Sequence, residues 1–147
     1  MILAACLGVA ACLSVSASDN RTDVLKSLAA ARDMHFGAAA QTHHIENPGV
    51  AGALSREFNM LVAETSMKMK HISPVPGVYD FRRPDTLAAY ARTNNMPMRG
   101  HALIFYSSDP EWLTEDTYTR EELIAFLHDY ITNRSEEHTS ELQSLLI

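Results

Sequence analysis

"FNMLVAE", Phe58 to Glu64, is an apolar run with little alternation that closes on a carboxylate. Such a run suits a strand covered on both faces, as in a parallel sheet, because an antiparallel strand with one wet face alternates. The segments on either side fit that reading. Upstream, "NPGVAGALSREF" offers Asn47 as an N-cap with Pro48 at the first helical position. Before it, "MHFGAAA" reads as a short strand whose small residues point to close backbone packing. Earlier still, Val24, Leu25, Leu28 and Ala29 share a face at helical spacing, which predicts a helix over roughly residues 21–33. Downstream, a turn-rich "SPVPGVYDFRRPD" leads into "DTLAAYARTNN", a helix with Leu87, Ala88 and Ala91 inward and an Asn-Asn end. "MPMRGHALIFYSSDPEWL", Met96 to Leu113, reads as a third strand. A last helix, "TREELIAFLHDYITN", has Thr119 and Glu122 at capping-box spacing and Leu123, Leu127, Tyr130 and Ile131 on one face.

Strands alternating with amphipathic helices predict βαβ units and a parallel sheet, the opening of either a doubly wound α/β sheet or a (β/α)8 barrel. No Gly-x-Gly-x-x-Gly follows the first strand, so a dinucleotide site has no support. In both architectures the chemistry lies beyond the carboxyl ends of the strands. That rule selects "ETSMKMK" after the second strand and "YSSDPEW" after the third.

A chain of 147 residues with net charge -6 carries its Lys and Arg singly, with no basic stripe for phosphate contacts, so nucleic acid is excluded as a partner class. "MILAACLGVAACLSVSA" reads as a secretory leader, residues 1–17, cleaved after Ala17; it is too short to span a membrane. Secretion or periplasmic export is the resulting expectation. "LAAC" and "VAAC" also resemble a bacterial lipobox, which leaves lipid anchoring through Cys6 or Cys12 as the alternative. Both cysteines lie in this leader, so the mature chain has no disulfide framework. At the other end, residues 134–147 begin with "RSEEHTSELQS", a polar stretch without a period. It resembles the translated read-through of a sequencing-library adapter, and residues 21–133 are taken as the folded part, with the last helix ending near Asn133.

On local grounds alone, His101 reads as a core histidine, Lys68 and Lys70 as a solvated face, and Glu64 as an ordinary loop carboxylate. Glu64 with Glu111 is no evidence of an acid/base pair. Met67, Met69, Met96 and Met98 read as core filler. "HHIE", His43 to Glu46, contains ligand-type residues, but neighbouring side chains diverge and rarely chelate one ion, so no metal is assigned.

Taken together, "REFNMLVAETSMKMKHISPVPGVYDFRRPDTLAAYARTNNMPMRGHALIFYSSDPEWL" resembles the glycoside hydrolase family 10 endo-β-1,4-xylanases, collinearly from about Leu25 to Ile131. The resemblance implies a (β/α)8 barrel of which about the first three βα units are present. It implies hydrolysis of xylan with retained configuration by two carboxyl groups about 5 to 5.5 Å apart. Both catalytic glutamates of the family fall after the third strand, so none is assigned here, and the chain alone is expected to be inactive and poorly stable. By the same resemblance, Glu64, Lys68 and His101 match sugar-binding residues, with Phe105 and Thr65 beside them. Neither cofactor nor metal is implied, the substrate is xylan or a xylo-oligosaccharide, and the full-length protein is expected to be a monomer. Thr65, Ser66 and Met69 replace the family's Asn, Glu and Trp, and Phe105, Tyr106 and Ser108 replace Trp, His and Gln. Those departures keep two alternatives open: a diverged barrel glycosidase acting on another β-glycan, and a non-catalytic carbohydrate-binding barrel.

Overall fold

The computed structural model describes residues 24–113 and 118–142, with side chains as far as Arg134. The leader, both cysteines and the last residues lie outside that range. The element order is α1 (Leu25–Ala30), β1 (Gly37–Ala40), α2 (Thr42–Glu46), α3 (Pro48–Glu57), β2 (Met60–Ala63), α4 (Met69–Ile72), α5 (Arg82–Thr93), β3 (Met98–Arg99), a 3-10 turn (Glu111–Leu113) and α6 (Arg120–Leu142).

The sheet is parallel throughout, in the order β1-β2-β3. β1 pairs with β2 from Gly37 opposite Met60 to Ala40 opposite Ala63, and Leu61 and Val62 pair with Met98 and Arg99. Gly37 is where the sequence needs a small residue: a Cβ there would sit 3.2 Å from Met60 Cβ and 3.3 Å from Met60 O.

The predicted stops and starts have physical counterparts. Asn47 caps α3, its Oδ1 accepting from Gly49 N at 3.0 Å and Val50 N at 3.2 Å. Asn95 ends α5 in the left-handed conformation, φ 54, with Met96 N donating to Ala91 O at 2.9 Å. Thr119 and Glu122 close a capping box at the start of α6, Thr119 N donating to Glu122 Oε2 at 2.7 Å and Glu122 N to Thr119 Oγ1 at 3.3 Å.

Leu61 and Ala63 are buried together with Ala40, Met98, Leu54, Leu87, Ala88 and Ala91. Met67, Met69 and Met96 complete that core, as their reading as filler anticipated, and Tyr130 brings α6 onto it.

Several features differ from the sequence reading. β2 is fully covered on one face only: Leu61 and Ala63 are buried while Met60 and Val62 are half-exposed. β3 is two residues long and does not extend into the apolar run after His101. Its ladder partner β2 ends at Ala63, so the next residues have no strand to pair with. Leu103 and Ile104 are exposed, and Tyr106 is 87% exposed. The last helix does not stop at Asn133 but continues to Leu142, and Ile131, expected on its inner face, is exposed. Finally, α5 begins at Arg82, a turn before Asp85, since Arg82, Arg83 and Pro84 all accept the first turn of a helix.

Candidate functional site

The side chains singled out by the sequence follow the carboxyl ends of β2 and β3. Glu64 follows β2, and its N donates to Ala40 O at 3.1 Å, prolonging the β1-β2 ladder by one step. Its carboxylate accepts from Gln41 Nε2 at 2.9 Å, and Gln41 is the first residue past β1. Two polar side chains, each one residue beyond its strand, are thereby joined across the rim. Sequence reasoning missed Gln41, although the carboxyl-end rule that selected Glu64 would have selected it too.

Thr65 opens the following turn, its carbonyl accepting from Lys68 N at 2.9 Å, and the chain enters α4 with Lys68 at the N-cap. That turn aims Lys68 sideways, toward the segment after β3: its Nζ lies 4.4 Å from the Phe105 ring centroid. Phe105 also meets His101 edge-on at 5.6 Å and Tyr106 at 5.2 Å. Lys68, Phe105 and His101 are one cluster built from two loops. Lys70 N, donating to Ser108 O at 2.9 Å, ties the same two loops through their backbones.

His101 reaches this cluster from an exposed position in the loop, not from a buried strand. Glu64 is exposed beside Gln41, and Thr65 is half-buried. Among the described residues no group of three or more His, Cys, Asp or Glu side chains could hold a metal ion, and His43 and His44 lie in α2 with their rings 4.1 Å apart. His44 Nδ1 accepts from Gln41 N at 3.1 Å, a structural use of that ring. Trp112, the single tryptophan, is also structural: its Nε1 donates to Ser73 O at 3.1 Å and its indole meets Phe126 edge-on at 4.7 Å.

Arranged in this way, the rim offers a carboxylate, an amide, an ammonium and an imidazole beside an aromatic face. Those groups match a ligand of many hydroxyls and few charges, whose oxygens both donate and accept. Aromatic faces take the C–H side of such rings.

The sequence profile described as Glycosyl hydrolase family 10 matches residues 24–145. The chain belongs to that family. A curated relative named Endo-1,4-beta-xylanase A, from Xylanibacter ruminicola, is 35% identical over 66% of this chain and 28% of its own length. Exoglucanase XynX from Acetivibrio thermocellus is 40% identical over 62 residues, 42% of this chain and 6% of its own. Among solved structures, xylanase 10B from Thermotoga petrophila, in complex with xylobiose, superposes with a TM-score of 0.73 at 30% identity, covering 78% of this chain and 36% of that one. The three-stranded parallel sheet with its helices is therefore part of a family 10 (β/α) barrel. This chain spans about a third or less of the length of these relatives.

Proposed function

We propose that the full-length protein is an endo-β-1,4-xylanase that cleaves internal xylosidic bonds with retained configuration. In this reading the present chain supplies a sugar-binding floor made of Glu64, Thr65, Lys68, His101 and Phe105. The observation that carries it is the convergence of Lys68 and His101 on Phe105 at the carboxyl ends of β2 and β3. A floor of fixed donors and acceptors holds a sugar ring in one orientation, and orientation of the scissile bond accounts for a large part of the rate enhancement such enzymes reach. The two carboxyl groups that act on the bond itself come from later strands of the barrel.

Hydrolysis of xylan by the full-length enzyme, followed by release of reducing ends, tests the proposal. Lys68→Ala is expected to lower kcat/KM roughly 10- to 100-fold, the loss of a charge-assisted hydrogen bond of about 1.5–3 kcal/mol. Wild-type activity on xylan with an unaffected Lys68→Ala variant would remove the floor from the mechanism.

A diverged glycosidase is the second reading. Phe105, Tyr106 and Thr65 stand where the family pattern has Trp, His and Asn, and one relative carries the name exoglucanase. Faster hydrolysis of mixed-linkage glucan than of xylan would select it. A full-length sequence lacking either later glutamate would select a non-catalytic carbohydrate-binding barrel. Export to the periplasm or medium belongs to the same proposal, with lipid anchoring through Cys6 or Cys12 as its alternative. Cell fractionation, with detergent needed for release only in the anchored case, separates the two.

A further inference from the structure

β1 and β2 run in register from Gly37 opposite Met60 to Ala40 opposite Ala63, so one step further the ladder sets Gln41 opposite Glu64. Side chains alternate across a sheet, and directly opposed residues share a face. Ala40 and Ala63 are turned into the core. Gln41 and Glu64 therefore project on the other face, the one that carries Ala39 and Val62. The backbone of Gln41 is held at both of its polar atoms: N donates to His44 Nδ1 at 3.1 Å and O accepts from His44 N at 3.0 Å. On the facing strand, Glu64 N donates to Ala40 O at 3.1 Å. Both main-chain positions are thus fixed before either side chain is placed.

The Glu64 side chain has no such restraint of its own. It is exposed, and a glutamate left to itself there keeps rotamer freedom that binding would have to remove. Gln41 is half-buried and reaches across to it, Nε2 donating to Glu64 Oε2 at 2.9 Å. An ionised carboxylate only accepts, so the amide must turn its nitrogen toward Glu64. Among the described residues Gln41 is the one side chain that donates to this carboxylate, and Glu64 Oε1 accepts from none. One oxygen is held, and the other is left open.

We infer that Gln41 is a positioning residue: it holds the Glu64 carboxylate in the orientation in which its second oxygen accepts from a sugar hydroxyl. Fixing that oxygen beforehand spares the rotamer entropy that binding would otherwise cost. The role of Glu64 toward the sugar rests on the saccharide reading above, whereas the orientation of its carboxylate by Gln41 does not.

The test is Gln41→Glu in two backgrounds of the full-length enzyme, wild type and Glu64→Gln, read by release of reducing ends from xylan. In the wild type the change sets two carboxylates face to face, which repel and swing apart, and kcat/KM is expected to fall about tenfold. In the Glu64→Gln background the amide at position 64 can donate to the carboxylate at position 41, so the same change should cost less than about twofold. Urea midpoints should be nearly equal in all four proteins, because the bonds between residue 41 and His44 are made by the backbone of residue 41. The same background dependence on mixed-linkage glucan, with xylan left intact, supports the inference and defeats the xylanase reading. With xylan cleaved by the wild type, an equal loss in both backgrounds, normal kinetics in Gln41→Glu, or a loss that follows the urea midpoint would each overturn the inference and leave that reading standing.

Discussion

Lys68 Nζ stands 4.4 Å from the centroid of the Phe105 ring, joining the turn after β2 to the loop after β3. Between them the segments after β2 and β3 carry all five proposed sugar contacts, so their mutual position decides whether a floor exists. A cation over an aromatic face at a partly exposed site is worth about 0.5–1 kcal/mol. In a double-mutant cycle of Lys68→Ala and Phe105→Ala, read by urea unfolding, the two losses are expected to fall short of additivity by about that amount. Strict additivity would mean that the two loops are not held by this contact in solution.

Gly37 is a second point where one atom decides packing. Its missing Cβ leaves room for Met60, whose Cβ would lie 3.2 Å away and whose carbonyl O 3.3 Å away. Neither atom can yield without a backbone shift, since the Cβ is bonded to the Met60 backbone and the carbonyl belongs to the strand itself. Gly37→Ala gains about 0.4–1 kcal/mol from the unfolded chain and loses about 1–3 kcal/mol to overpacking. A net loss of about 1 kcal/mol is expected in the urea midpoint, and a more stable variant would show that the strands can separate freely.

Tyr79 Oη donates to Asp129 Oδ2 at 2.5 Å across 50 residues, fastening the segment between α4 and α5 to α6. Burial first, and then Asp129, raises the phenol above its usual ionisation range. A raised value means that this stabilisation is complete below pH 10, the phenol's ordinary value, and is lost as pH climbs from there toward the folded-state value. Tyr79→Phe is expected to cost about 1 kcal/mol at neutral pH. The variant should also lose less stability than the wild type between neutral pH and alkaline pH, and identical alkaline slopes would exclude the bond.

The sequence made the sheet direction and most helices legible because their signals are local. The unbroken apolar run of β2, the Asn47 cap, the Asn95 stop and the Thr119–Glu122 box act within a few residues of themselves. What it misjudged depends on partners far away. "ALIFY" has the composition of a strand, yet strand length is set by ladder pairing, and β2 runs out at Ala63 before Ala102 could pair. Phe105 and Lys68 were each selected, but only the fold shows them in contact. Gln41 went unnoticed because a lone glutamine carries no motif.

Asp80 offers the most direct check on the electrostatics at the start of α5. Hydrogen bonds from the Arg82 guanidinium, and next from Arg82 N at 3.1 Å, hold its carboxyl at about 2, below the ordinary 3.8. The depressed value means that the ion pair's contribution is complete above pH 3.8 and disappears as pH falls toward about 2. Because the pair is largely exposed, its effect on global stability is small, and the carboxyl itself is the better reporter. A carboxyl-carbon NMR titration is expected to place the Asp80 midpoint near 2 in the wild type. In Arg82→Gln the midpoint should rise toward 3.8 without reaching it, since the backbone N–H of residue 82 still donates. A wild-type midpoint at the ordinary value would mean that the Arg82–Asp80 pair does not form in solution.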